Sequence, residues 1–201
     1  MKKRMVVCVA VGAVLVGAGV VSFALIQRKS PPTQADVQPQ LSTFHHDETG
    51  VSVDYAAELQ VEALSDQDKK DLIVFRAAHP QGSTTPFLIT LRYETGLRLP
   101  ARAAKTDTID LIVDGAAKAL PSRFPAYHQV SERRMQHRDH EAAEIIFTYK
   151  GPSGERAKQR LLMVVKDDNT AFYLTGQTKE GDYDQIADKY FNQVFDSFRF
   201  E

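Results

Sequence analysis

Residues 182–200 read DYDQIADKYFNQVFDSFRF. Tyr183, Ile186, Ala187, Tyr190, Phe191, Val194, Phe195 and Phe198 recur at i, i+3, i+4, i+7, i+8, i+11, i+12 and i+15, the period of a helix that buries one stripe. Five of these eight are aromatic. At ~25 cal/mol per Å² of apolar surface and ~150–250 Å² per ring, the helix is a major source of stability. The stripe therefore reads as core rather than as a cofactor or partner surface. Asp182 followed by Gln185 resembles a capping box at its start.

Such a face needs a sheet to cover it, and the preceding residues supply one. Thr170–Thr178 and Arg160–Lys166 read as strands joined by the turn Asp167-Asp168-Asn169. Leu161–Val165 is apolar without a break, so both faces of that strand are covered and it is central. Gly151–Gly154 is a hairpin loop, and Glu141–Tyr149 alternates, with Ala143, Ile145, Phe147 and Tyr149 on one side. His137–His140 turns back to a polar strand, Ala126–Gln136. Further upstream, Ile109, Ile112, Val113, Ala116 and Leu120 mark a second helix, with Asp107 as N-cap and Pro121 as its end. Phe87–Tyr93 and Leu72–Ala78 are strands, the latter after the polar break Ser65–Asp71 and the former with Thr90 and Arg92 on a wet face. Val51–Tyr55 alternates after the turn Asp47–Gly50. The class is α+β: an antiparallel sheet flanked by helices.

Three places in this order resemble the PsbP-like superfamily, which groups the photosystem II extrinsic protein, a Ran-binding import factor and DcrB-type envelope proteins. Thr49-Gly-Val-Ser-Val-Asp-Tyr55 looks like its opening hairpin, Arg160–Gly176 like its long buried hairpin, and Asp182–Phe200, ending Asp-Ser-Phe-Arg-Phe, like its closing helix. Ala56, Ala57 and Leu59 stand where the family has Pro and Trp. The resemblance implies an α/β/α sandwich over residues 43–201 acting in binding or assembly, with no catalytic residues to carry over.

Ahead of the domain, Lys2, Lys3 and Arg4 precede 22 uncharged residues, Met5–Ile26. As a helix this run is ~33 Å long, enough to cross a ~30 Å hydrocarbon core. It reads as one N-terminal transmembrane helix, residues 1–26 with flank, that holds the chain in the lipid bilayer through residues 5–26. A leader cleaved after Ser22-Phe23-Ala24 is the alternative. The basic excess puts the N-terminus inside and the domain in the periplasm or exterior, a single pass through the bacterial inner (cytoplasmic) membrane. Residues 27–42, with three prolines and four glutamines, read as a tether. Cys8 is the only cysteine, which rules out an intramolecular disulfide and a cysteine zinc cage. It precedes most of the apolar run, the wrong place for a lipoprotein cysteine, and reads as a small apolar filler, with acylation near the cytoplasmic face as the alternative.

Net charge is −1, but residues 1–42 hold five of the 25 basic and one of the 26 acidic side chains, which leaves a domain at −5. A basic surface for nucleic acid or anionic lipid is therefore not expected. Neither a P-loop nor G-x-G-x-x-G nor G-x-S-x-G occurs. His137 and His140, two residues apart across a tight turn, are the candidate metal ligands, for Zn²⁺ with a third ligand the sequence does not fix. His140-Glu-Ala-Ala-Glu144 is similar to a helical metalloprotease motif, but the alternation that follows favours a strand. Asp167-Asp168-Asn169 is too short for a calcium loop. Glu132-Arg133-Arg134 reads as a solvated strand face. No catalytic or cofactor-binding residue is expected.

The expected function is a non-enzymatic, membrane-anchored domain outside the cytoplasm that binds or stabilises a membrane protein or membrane-protein complex. A metal-binding or sensing domain built on the His-x-x-His turn and an envelope hydrolase are the alternatives. Protease added to intact spheroplasts is expected to digest the tether or domain while Met5–Ile26 stays with the membrane. Full protection before lysis reverses the orientation, and a mature N-terminus at Leu25 replaces the anchor with a cleaved leader.

Overall fold

The computed structural model describes residues 40–97 and 108–201. The apolar span, the tether as far as residue 39 and the Asp107 cap lie outside the described residues. The chain enters as β1 (Leu41–His46), within the stretch read as tether, and turns into β2 (Val51–Ala56). A short β3 (Gln60–Val61) leads to α1 (Asp66–Lys70), β4 (Ile73–Ala78) and β5 (Phe87–Thr95). Then come α2 (Thr108–Arg123) and four long strands, β6 (His128–His137), β7 (His140–Lys150), β8 (Arg156–Asp167) and β9 (Thr170–Lys179). The C-terminal helix starts with a 3₁₀ turn, Glu180–Asp182, and runs through α3 (Tyr183–Ile186), a π turn (Ala187–Phe191) and α4 (Asn192–Ser197) to β10 (Arg199–Phe200).

Seven strands form one antiparallel sheet in the order β3-β4-β5-β9-β8-β7-β6, and β1-β2-β10 form a second sheet of three. β8 lies between β7 and β9 with both faces buried, as its unbroken apolar run requires. One core cluster joins Leu162, Val164, Phe172 and Leu174 of the large sheet to the C-terminal helix and to Val51 and Val53 of the small sheet. The other joins Leu161, Met163, Ala143 and Ile145 to Ile109, Val113 and Leu120 of α2. The large sheet is thus sandwiched between α2 and a layer made of the C-terminal helix and the small sheet. Residues 38–201 form a compact unit that contains both clusters whole, so this fragment carries its own fold.

Three local expectations are corrected. Pro121 does not end α2, which reaches Arg123. The proline removes one donor in the last turn, while the Phe124 amide still donates to Leu120 O at 3.0 Å. Asp182 makes no capping bond, because the 3₁₀ turn precedes the helix there. The capping box is at Ser65, whose hydroxyl accepts from the Asp68 amide while the Asp68 carboxylate accepts from the Ser65 amide. That cap starts a helix in a segment read as a polar break.

All eight residues of the C-terminal stripe are buried. Phe191 comes closest to the sheet: a Cβ at Gly176 of β9 would meet three of its ring atoms at 2.9–3.1 Å. Glu144, with 5% of its surface exposed, is held from two sides, by Arg133 Nε at 3.0 Å and Arg160 Nε at 2.5 Å. Arg160 also donates to Asn192 Oδ1 at 2.9 Å and lies 4.3 Å over the Phe195 ring, tying the helix to β8. Gly176→Ala is expected to destabilise the chain by about 1–3 kcal/mol through overpacking, measured by urea unfolding. An unchanged midpoint would show that the helix slides freely on the sheet.

Candidate functional site

The large sheet presents two unlike faces. On β5, Phe87, Ile89 and Leu91 point into the first cluster, so Leu88, Thr90, Arg92 and Glu94 point the other way. Register puts Arg92 opposite Tyr173 and Thr90 opposite Thr175 on β9, with Gln159 and Leu161 of β8 on the same face. α2 packs on β7 and β8 through Ile109, Val113 and Leu120, and among the described residues the β5–β9 side is less covered. Between them lies a cavity of ≈ 890 Å³. Its helical wall carries Leu111, Ile112, Gly115, Ala116 and Ala119. These residues are mostly small, and a Cβ at Gly115 would have no atom of the described residues within 4 Å, so the helix does not fill the space beside it.

The floor is polar. The Arg92 guanidinium lies 4.1 Å above the Tyr173 ring, a cation–π contact between cross-strand neighbours. The Tyr173 hydroxyl donates to Glu94 Oε2 at 3.1 Å. Burial, and then the Glu94 carboxylate, push the Tyr173 phenol up to about 12. Gln159 is 93% buried, and its Oε1 has no hydrogen-bond partner among the described residues. The arrangement has the attributes of a binding site: a concave apolar wall and a few convergent polar groups.

The histidine turn packs against the end of the C-terminal helix. His137 and His140 face each other at the end of the β6–β7 hairpin. His137 Nε2 donates to Phe198 O at 2.8 Å, joined by Arg138 Nε at 3.1 Å, with Arg138 held at φ 55°. The His140 ring meets Phe200 edge-on at 4.7 Å. The turn thus clamps the end of the C-terminal helix. No group of three or more His, Cys, Asp or Glu that could hold an ion occurs among the described residues. A serine–histidine contact is formed by His45 Nδ1 and Ser52 Oγ at 2.7 Å, but Ser52 has no exposed surface for a substrate to reach. Glu132-Arg133-Arg134 is paired rather than simply solvated: Arg134 bridges Glu132 at 2.6 Å and Asp110 of α2 at 2.8 Å.

Sequence reasoning placed Thr90 and Arg92 on a wet face but missed Gln159, Tyr173 and the cavity they line. The run Gly115-Ala-Ala-Lys-Ala119 was the available signal, since a helix side built of small residues leaves room beside it.

Burial likewise pushes the Tyr183 phenol up to about 12. Between pH 10 and about 12 the unfolded chain loses phenol protons that the folded chain keeps, so stability falls as pH rises through this window. Combining Tyr173→Phe with Tyr183→Phe is expected to shift the alkaline loss to higher pH in unfolding titrations. An identical pH profile in the double variant contradicts this assignment.

Known structures share the architecture. Cyanobacterial PsbP from Synechocystis superposes with a TM-score of 0.56 at 8% identity, over 85% of this chain and 98% of that one. LpqN of Mycobacterium tuberculosis, a protein involved in cell envelope biogenesis, gives 0.53 at 13% identity over 79% and 89%. The Ran-binding protein Mog1p of Saccharomyces cerevisiae gives 0.51 at 6% identity over 81% and 96%. The fold is PsbP-like, as the three sequence segments implied. No curated protein matches the chain. Residues 92–200, more than half of the sequence, match the family described as the serine/threonine kinase C-terminal domain, and the chain belongs to that family.

Proposed function

We propose that this chain is a non-catalytic binding domain held outside the cytoplasm by Met5–Ile26, where it stabilises or assists a membrane-protein complex. The carrying observation is the half-covered sheet face, where a rigid antiparallel scaffold presents an open cavity with a polar floor. A role in the envelope is supported by the apolar run and proline-rich tether in the sequence, and by the likeness to LpqN, whose own role is in cell envelope biogenesis. The family name associates such domains with serine/threonine kinases. A tethered binding module is a suitable device for presenting an external condition to a membrane partner.

A photo-crosslinking residue placed in living cells at Lys118, exposed on α2 beside the cavity, tests this reading against the same residue at Lys70 of α1. A reproducible adduct with one membrane protein is expected from position 118 and not from position 70. Equal adducts from both positions, or none from either, would remove it.

A further inference from the structure

We propose that the cavity between α2 and the sheet binds an anionic amphiphile, with Arg92 taking the charged head and the α2 wall taking the apolar body. This deepens the proposed function, since it rests on the same cavity, and laurate binding is read apart from the crosslinked protein partner.

The argument starts from Arg92. Six other arginines, at 76, 133, 134, 156, 160 and 199, pair with carboxylates. Arg92 is half-buried and has no carboxylate within ion-pair distance among the described residues. Its neighbour Glu94 instead accepts the Tyr173 hydroxyl. A guanidinium laid on an aromatic ring keeps its in-plane donors free for a carboxylate or phosphate. The second observation is Gln159, nine-tenths buried and lining the same cavity with an unpartnered Oε1. Burying an acceptor without a partner is unfavourable, and a ligand hydroxyl or amide would relieve it. The third is shape: ≈ 890 Å³ lies within the range of small-molecule sites, and Leu111, Ile112, Ala116, Phe124 and Leu161 make an apolar wall. Charge around the cavity also leans towards an anion, with Arg92, Lys118 and Arg123 against Glu94 and Asp114.

The test titrates residues 38–201 with carboxyl-labelled laurate below its micelle concentration and follows the carboxyl carbon by NMR. Saturable binding at one site is expected. Dodecyltrimethylammonium, with the same chain and the opposite charge, and acetate, with the head alone, are expected not to compete. Arg92→Ala should weaken laurate about tenfold, the loss of one charge-assisted contact. Gly115→Leu should block it by filling the space beside α2, with circular dichroism unchanged. Gln159→Leu should raise the urea midpoint and leave laurate binding in place, because a carboxylate has no donor for Oε1, whereas a merely structural carboxamide would lower the midpoint. Phosphatidylglycerol vesicles separate the sources of the ligand. Binding to vesicles without binding to free laurate assigns the charge to a bilayer surface and overturns the cavity site. Equal binding of the cationic amphiphile overturns it, as does laurate affinity retained in both Arg92→Ala and Gly115→Leu. Should Arg92→Ala fail to fold, Gly115→Leu alone decides.

Discussion

The absence of a side chain at Gly176 lets the rest of the molecule close. The Phe191 ring occupies the space a Cβ would need, so the C-terminal helix lies directly on the backbone of β9. From that contact the helix spreads its stripe over the sheet: Tyr190 meets Phe87 at 4.8 Å and Phe172 meets Phe198 at 6.0 Å. Close-packed interiors transmit displacement rather than absorb it, so a shift at this point would reach every layer on that face. The second fixing point is ionic. Glu144 sits between two guanidiniums, one of which reaches on to the helix. A buried carboxylate with one partner removed is strongly unfavourable, which makes the network a determinant of helix position more than a net source of stability.

The opposite face follows a different logic. α2 contributes three buried apolar residues and a run of small ones, and it rests on only part of the sheet. An antiparallel sheet tolerates one incompletely covered face, because alternation can place polar side chains there. β5 and β9 do this with Thr90, Arg92 and Thr175. The same sheet is therefore fully covered on one side and partly covered on the other, and the division is written in the alternation of Phe87–Thr95.

Much of this was readable from residues alone. The period-two and period-3.6 patterns located the strands, the long hairpins and both major helices, since burial imposes those periods wherever a face meets the core. The misreadings arose where local geometry overrides pattern. Asp182 has cap chemistry, but the chain tightens into a 3₁₀ turn just before it. Pro121 lies close enough to the end of its helix that losing one donor costs little. The candidate site was less legible than the fold. Gln159 reads as an ordinary strand glutamine, and only three-dimensional placement leaves its carbonyl oxygen without a partner. The structural contact of His137 was hidden as well, because its hydrogen-bond acceptor, Phe198 O, lies 61 residues away.

The pairing of β10 with β2 has a consequence for how the polypeptide is made. Arg199 reaches Asp54 across 145 residues of sequence, and Phe200 lies opposite Val51 in the ladder. Among the described residues, the hairpin nearest the N-terminus is completed by the strand nearest the C-terminus. Contacts of such long sequence separation are slow to form, because the entropy of closing the intervening loop comes before any gain. Until the C-terminal helix and β10 are made, Val51 and Val53 lack the cover and the edge pairing that these elements supply.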